Sequence, residues 1–165
     1  MRNDVSALFE PGSFINGQWL TGDDRFKVVN KATGDTLAEV ANAGAAEMEL
    51  AVKAAKEAFS TWSATPAITR GQLLRKWFTL MTERSDELAE LLTLEQGKPL
   101  AEAKGEIAYG AGYIEWFAEE ARRICGDVLE TPQTDKRLLT MKQPIGVFGA
   151  ITPWNFPIAM ITRKV

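Results

Sequence analysis

IGVFGAITPWNFP, residues 145–157, combines an uninterrupted apolar run with a proline-bounded turn. The run from Ile145 to Ile151 has no polar side chain, which is typical of a strand covered on both faces in a parallel sheet flanked by helices. Pro157 suits the first turn of a following helix, where its missing N–H costs nothing. TPWN is therefore predicted to be the turn at the carboxyl end of a central strand, where open α/β sheets bind ligands.

The overall composition indicates one globular domain. The 165 residues are 45% hydrophobic and 25% charged, which is enough apolar side chain for a core. The formal net charge of -3 argues against nucleic acid and an anionic membrane surface as partners, since both require a dense basic face. No apolar stretch reaches the roughly 18 residues of a membrane span, and the N-terminal MRNDVSALFEPG lacks the apolar centre of a secretory signal. We expect a cytoplasmic protein.

The side chains available for chemistry are limited, because the sequence has one cysteine, Cys125, and no histidine. These counts exclude an internal disulfide, a histidine-dependent triad and a His/Cys zinc cluster, and we expect no metal. Cys125 follows an amphipathic helical pattern and is interpreted as a buried structural cysteine of that helix, with a nucleophile as the weaker alternative. Six glutamates at helical spacing are interpreted as solvated: Glu95, Glu102, Glu106, Glu115, Glu119 and Glu120.

The rest of the sequence divides into a β part and a helical part. SFINGQWL, FKVVN and LAEV are short runs rich in branched and aromatic residues that predict a small hairpin or meander. Four amphipathic helices are then predicted from apolar residues at helical spacing, beginning at Met48, Leu73, Leu88 and Ile107, the last ending with Arg122 and Arg123 in its final turn. ETPQTDK is a predicted loop or arm, and RLLTMKQ a strand. The predicted class is α/β.

Two groups of residues at the TPWN turn are candidates for function. Asn155 carries an amide that can stabilise a developing oxyanion, or alternatively caps the following helix. Phe156, Met160 and Arg163 are spaced i, i+4 and i+7 and so share one helix face. That face could line a passage in which Arg163 receives an anionic end of a substrate; the alternative is a solvated arginine beside two core residues.

Several segments together resemble a known family, the NAD(P)-dependent aldehyde dehydrogenases, over essentially all 165 residues. The resemblance is carried by FINGQW, LTLEQGKPLAEAKGEI, YIEWFAEEARRICGD, KQPIGVFGAITPWNFP and MITRKV, in this order. They are similar to the N-terminal third of such an enzyme, and most similar to the succinate-semialdehyde dehydrogenase subgroup. The implied fold is a small β hairpin, then helices, then the first strands of a Rossmann-like sheet, without the rest of that sheet.

The resemblance implies roles for individual residues. Asn155 donates its amide to the oxyanion that forms when a cysteine thiolate attacks the aldehyde. Phe156, Met160 and Arg163 line the aldehyde tunnel, and Arg163 binds the distal carboxylate. The nicotinamide cofactor, NAD or NADP, is bordered by Ile151, Thr152, Pro153, Trp154 and Asn155.

The resemblance also implies an organisation and an assembly. Residues 1–165 correspond to the N-terminal part of the NAD(P)-binding domain, and residues 130–142 to the start of the arm through which subunits form a homodimer or homotetramer. Lys31 departs from the family pattern, where a proline is common, and this affects only a turn. The nucleophile and general base correspond to positions after Val165, so we expect an incomplete chain that is inactive alone.

The expected reaction is oxidation of succinate semialdehyde to succinate. Two alternatives remain open: a glutarate-semialdehyde or broader aldehyde dehydrogenase, and a non-catalytic helical module that binds a partner through its apolar stripes.

Overall fold

The computed structural model of the chain describes residues 8–165. The first seven residues lie outside this range. They include most of MRNDVSALFEPG, the segment for which the sequence predicted no secretory signal. The described part begins with two antiparallel hairpins, β1 (Ser13–Ile15) with β2 (Gln18–Leu20), and β3 (Arg25–Val29) with β4 (Thr36–Ala41). Asn16 and Gly17 form the turn of the first hairpin with φ of 51° and 78°, which are the positive angles that a tight Asn-Gly turn requires.

The four predicted helices are confirmed. They are α1 (Ala45–Trp62), α2 (Ala67–Glu83), α3 (Ser85–Gln96) and α4 (Leu100–Glu120). Gly97 ends α3 in the left-handed conformation, with φ of 83°. Arg122 and Arg123 lie in a separate 3-10 turn, Ala121–Arg123, rather than in the last turn of α4. None of these helices is long and apolar enough to span a membrane within the described residues.

The core lies around α4, which packs against α2, α3 and a final short helix, α5 (Pro157–Thr162). Pro157 occupies the first turn of α5, as predicted. The buried side chains of the core come from three helices: Met81, Ala89, Leu92, Ala103, Ile107, Ala111 and Ile114. Gly71 of α2 lies directly against the backbone of Ala118, so that helices α2 and α4 approach closely.

The predicted strand at 145–151 does not form. Residues 141–153 belong to no strand or helix, and Ile151 is 98% exposed. The apolar stripe of α1 lines one side of an open groove beside residues 145–149, so one face of the segment has a helix next to it. A parallel strand also needs neighbouring strands, and residues 8–165 supply only three two-stranded antiparallel hairpins. The predicted mixed α/β class is confirmed. The prediction of a strand at residues 145–151, covered on both faces, is wrong for the described residues.

RLLTMKQ was predicted as a strand and contributes only β6 (Leu138–Leu139), which pairs with β5 (Val128–Leu129). The predicted arm, residues 130–142, begins directly after β5 and includes β6.

Two predictions about single residues are also wrong. Cys125 is exposed, since the chain leaves the helical part before it and its backbone N–H bonds only to the carbonyl of Arg123. Glu106 is buried, because α4 packs on more than one side and its carboxylate has a lysine partner. The surface interpretation holds for Glu115 and Glu119, whose carboxylates pair with Arg75 at 2.9 Å.

Candidate functional site

The side chain of Asn155 does not cap the helix that follows it. Phe156 is the N-cap residue of α5, and no side chain makes a capping hydrogen bond there. Asn155 is exposed, and its side-chain amide makes no hydrogen bond to any residue within 8–165. The capping alternative is therefore wrong, and the amide retains two N–H donors for an external group.

The backbone of the turn is held by residues that join α3 to α4. The Gln96 Nε2 group donates to the carbonyl oxygens of Trp154 at 2.9 Å and Asn155 at 3.1 Å. The Lys98 ammonium donates to the same Asn155 carbonyl at 3.0 Å. Three donated hydrogen bonds thus converge on two consecutive carbonyl groups at the turn.

A buried ion pair lies directly behind the turn. Lys98 and Glu106 form a salt bridge in which the two side chains are 10% and 0% exposed. The other carboxylate oxygen of Glu106 accepts hydrogen bonds from the backbone N–H groups of Ile158, at 3.0 Å, and Ala159, at 3.4 Å. These N–H groups open α5 and have no partner within the helix, so Glu106 supplies one. Both oxygens of the buried carboxylate are satisfied, as burial of a charge requires.

The ring of Phe156 covers the lysine. The Lys98 ammonium lies 4.2 Å from the ring centroid, a cation–π contact, while Phe156 remains 42% exposed. The pair borders a cavity of about 310 Å³ that is lined by Lys98, Glu102, Gly105, Glu106, Tyr109 and Phe156.

Arg163 lies at the far end of α5, against the same helix, α4. Its guanidinium carbon is 5.8 Å from the ring centroid of Tyr113, and it forms no salt bridge within the described residues. The hydroxyl groups of Tyr109 and Tyr113 are hydrogen bonded. That bond is the main reason why the pKa of Tyr113 is raised above the usual tyrosine value; the positive charge of Arg163 acts in the opposite direction.

The structure brings two of the three predicted substrate residues to one surface. Phe156 and Arg163 flank α5 as its two caps; Phe156 borders a cavity that α4 also lines, and Arg163 lies beside the ring of Tyr113 on α4. Met160 is half-buried within α5, while Ala159 and Thr162 form its buried face against Gly110. Phe156 is therefore not a core residue, contrary to the alternative of a solvated arginine beside two core side chains.

Residues 151–154, predicted to border a cofactor, are open to a ligand. Ile151 and Trp154 are exposed, and the backbone N–H groups of this stretch donate no hydrogen bond to another part of the described chain. The N–H groups can therefore donate to a ligand that lies beside these apolar side chains. They offer no glycine-rich cradle for phosphates. No group of three or more His, Cys, Asp or Glu side chains that could hold a metal is brought together among residues 8–165.

Sequence reasoning missed Gln96, Lys98 and Glu106 as parts of this site. A signal for Glu106 was present, because it lies at helical spacing within the buried stripe of Ala103, Ile107, Gly110 and Ile114. Gln96 and Lys98 flank the left-handed Gly97 in the LEQGKP segment, and the side chains of both donate to the TPWN backbone.

Comparison with known proteins places these features in context. The profile described as the aldehyde dehydrogenase family matches residues 19–165. A glutarate-semialdehyde dehydrogenase of Pseudomonas putida is 57% identical over 161 residues, covering 96% of this chain and 34% of that protein. The succinate-semialdehyde dehydrogenase [NADP(+)] GabD of Escherichia coli is 55% identical over 166 residues, covering 99% of this chain and 34% of that protein.

The chain is also similar to a third enzyme and to a solved structure. A 3-sulfolactaldehyde dehydrogenase of Pseudomonas putida is 53% identical over 161 residues, covering 96% of this chain and 33% of that protein. Among solved structures, an E. coli NADP-dependent enzyme superimposes with a TM-score of 0.93 at 56% identity, covering 98% of this chain and 34% of that one. The chain thus spans about a third of the length of the relatives that it matches.

Proposed function

Because the chain belongs to the aldehyde dehydrogenase family, we propose that it forms the N-terminal part of an enzyme that oxidises succinate semialdehyde to succinate with NAD(P)+. Family membership leaves the alternative of a non-catalytic helical module without support. Residues 1–165 would contribute one part of the NAD(P)-binding domain. The attacking thiolate and the general base are assigned to other parts of the enzyme, and the 165 residues alone are expected to be inactive.

The observation that carries this proposal is the free amide of Asn155 on a turn whose backbone is fixed by Gln96 and Lys98. Oxidation of an aldehyde begins with attack on its carbonyl carbon, which places negative charge on the oxygen. A neutral amide N–H aimed at that oxygen stabilises the charge as it develops, provided that the donor is already in position. Asn155 has a free donor and a backbone held in place, and both are required for this role.

Arg163 supports an anionic substrate. Its guanidinium is exposed and forms no ion pair with the described residues, so no carboxylate among residues 8–165 competes with a substrate carboxylate for it. Three relatives are named for glutarate semialdehyde, succinate semialdehyde and 3-sulfolactaldehyde, each of which has an anionic group distant from the aldehyde. We assign Phe156 and Met160 to the apolar wall of the passage, beside the part of the substrate that joins the aldehyde to the anionic group.

Glutarate semialdehyde is the second candidate substrate, since the relative named for it is 57% identical. The two substrates differ by one methylene, and Arg163 accepts either carboxylate. The discriminating measurement is kcat/KM for the two semialdehydes under the same conditions, where one methylene in an apolar passage changes the ratio by about 10- to 200-fold.

The cofactor is proposed to lie along Ile151, Thr152, Pro153, Trp154 and Asn155, where the backbone N–H groups that donate to no described residue can bond to its nicotinamide end. When bound, a nicotinamide cofactor accepts the hydride that leaves the aldehyde carbon. NAD and NADP differ at a ribose phosphate, and none of these residues offers a phosphate site.

The third hairpin is proposed to start the arm through which subunits associate into a homodimer or homotetramer. Val128, Leu139 and Met141 are largely exposed around it, and apolar side chains in such numbers are typical of a surface that is covered on assembly. A cytoplasmic location remains part of the proposal.

The test of the substrate class is Arg163→Ala in the full-length enzyme, with Arg122→Ala as the matched control, because Arg122 is an exposed arginine of the 3-10 turn that follows α4. KM for succinate semialdehyde is expected to rise about 10- to 100-fold, the value of a lost charge-assisted pair, while KM for butanal, a neutral aldehyde of equal length, is unchanged. Equal effects on the two aldehydes would rule out carboxylate recognition by Arg163.

A further inference from the structure

We propose that Lys98 and Glu106, together with Gln96, are positioning residues that aim the amide of Asn155. This inference rests on the proposed oxyanion role of Asn155. It goes beyond that role, because it proposes that the buried ion pair behind the turn determines the direction of the Asn155 amide.

The first step concerns the two peptide planes that flank the Asn155 Cα atom. The carbonyl of Trp154 belongs to the plane before it, and the carbonyl of Asn155 to the plane after it. Because peptide units are planar, fixing both carbonyl directions fixes φ and ψ of Asn155. Gln96 donates to both carbonyls and Lys98 to the second, so these donors set the direction in which the Asn155 side chain leaves the backbone.

The second step concerns how the ammonium of Lys98 is held. A lysine side chain is a flexible stem and does not aim a hydrogen bond unless it is confined. Glu106 binds the ammonium from one side, and the ring of Phe156 lies 4.2 Å away. The ammonium also donates to the Asn155 carbonyl, at 3.0 Å. Glu106 is in turn anchored by the N–H groups of Ile158 and Ala159, so the α5 backbone and the turn share one buried carboxylate.

The third step separates positioning from stability. A buried ion pair is a weak source of stability, because desolvation of two charges offsets most of their attraction, and apolar pairs of similar volume often replace it without loss. An uncharged pair that still accepts from the N–H groups of Ile158 and Ala159 would keep α4 and α5 packed. It would not direct the Asn155 carbonyl. The proposed role therefore predicts that stability and catalysis respond differently when both charges are removed together.

The experiment compares three variants of the full-length enzyme, Lys98→Met, Glu106→Gln and the double variant, by steady-state NAD(P)H formation and by Tm. Each single variant leaves one charge buried without its partner, so its Tm falls. The double variant has neither charge, and the amide oxygen introduced by Glu106→Gln still accepts from the α5 N–H groups, so its Tm recovers toward that of the wild type. Its kcat is expected to stay about 10- to 100-fold low with KM little changed, as for a slightly misplaced catalytic group.

Two more variants complete the design. Gln96→Ala removes two carbonyl hydrogen bonds without burying a charge, and a fall in kcat of about tenfold is expected. Lys104→Met is the matched control, because Lys104 pairs with Asp86 at the surface at 2.7 Å and away from the turn; its kcat should not change. If a single variant fails to fold, the double variant and Gln96→Ala still give the result. A double variant with wild-type kcat would overturn the proposal.

A double-mutant cycle with Asn155→Ala distinguishes the positioning role of Lys98 and Glu106 from the oxyanion role of Asn155. If Lys98 and Glu106 act through Asn155, adding their replacements to Asn155→Ala causes no further fall in kcat. A further fall by the same factor as in the wild type would overturn the positioning role and leave the oxyanion role intact. Unchanged kcat in Asn155→Ala alone would instead reject the oxyanion role, and the positioning role with it.

Discussion

Ile107 and Ile151 are the same side chain in two contrasting regions of the molecule. Ile107 lies on α4 in the helical core and is 1% exposed, whereas Ile151 ends the apolar run before the TPWN turn and is 98% exposed. Helices α2, α3 and α4 follow one another directly and cover one another. Residues 145–151 have α1 beside one face but no neighbouring strand among the described residues. An apolar side chain favours burial, but burial occurs only where a neighbouring helix or strand covers it.

The largest effect is expected from truncating these two isoleucines in the 165-residue chain. Ile107→Ala should lower the free energy of unfolding by about 3 kcal/mol, because it leaves a cavity in packed core. Ile151→Ala should change it by less than about 0.5 kcal/mol, because the side chain is already in water. Urea denaturation followed by circular dichroism measures both. Equal losses would show that the two regions are packed alike and would remove the contrast.

Two glycines give a finer test of where the helical region is tightly packed. A Cβ atom at Gly71 would lie 2.7 Å from the backbone oxygen of Ala118, so Gly71→Ala forces α2 from α4 and should cost about 1 to 3 kcal/mol. A Cβ atom at Gly105 of α4 would meet no atom within 4 Å, and Gly105→Ala should stabilise the helix by about 0.5 to 1 kcal/mol. Opposite signs in thermal denaturation are the expected result. A stabilising Gly71→Ala would contradict the close approach.

The smallest effect is expected on the face of α4 that lies beside Arg163. The sequence contains two tyrosines, so Tyr109→Phe leaves Tyr113 as the only phenol that titrates. The hydrogen bond from Tyr109 is the largest cause of the raised pKa of Tyr113, and its removal should lower that pKa toward the usual value. Ultraviolet absorbance against pH measures the shift. A Tyr113 pKa that stays raised would mean that burial, not the Tyr109 hydroxyl, controls it.

The helical part of the fold was predictable because its determinants are local. Apolar residues at helical spacing and the position of Pro157 each specify structure over a few residues, and both were confirmed. The strand at 145–151 was not predictable in the same way, because strand formation depends on hydrogen bonds to residues distant in sequence.

The candidate site was predictable only in part. Position in the sequence marked Asn155 and Arg163 as candidates, but it could not separate a capping amide from a free one, which depends on the backbone angles of the turn. Glu106 was interpreted as solvated because charge outweighed its place in an apolar stripe. Its burial depends on Lys98, which lies in a different element and reaches it only after Gly97 reverses the chain. Cys125 was misplaced because α4 gives way to a 3-10 turn before it.

The central claim, that a free amide on a fixed turn stabilises the charge that develops on an aldehyde oxygen, is tested most directly by Asn155→Ala in the full-length enzyme. Kinetics of NAD(P)H formation with succinate semialdehyde should show kcat reduced by about 10²- to 10³-fold with little change in KM, the loss expected for one oxyanion donor. A variant that folds as the wild type does and keeps its kcat would contradict the account.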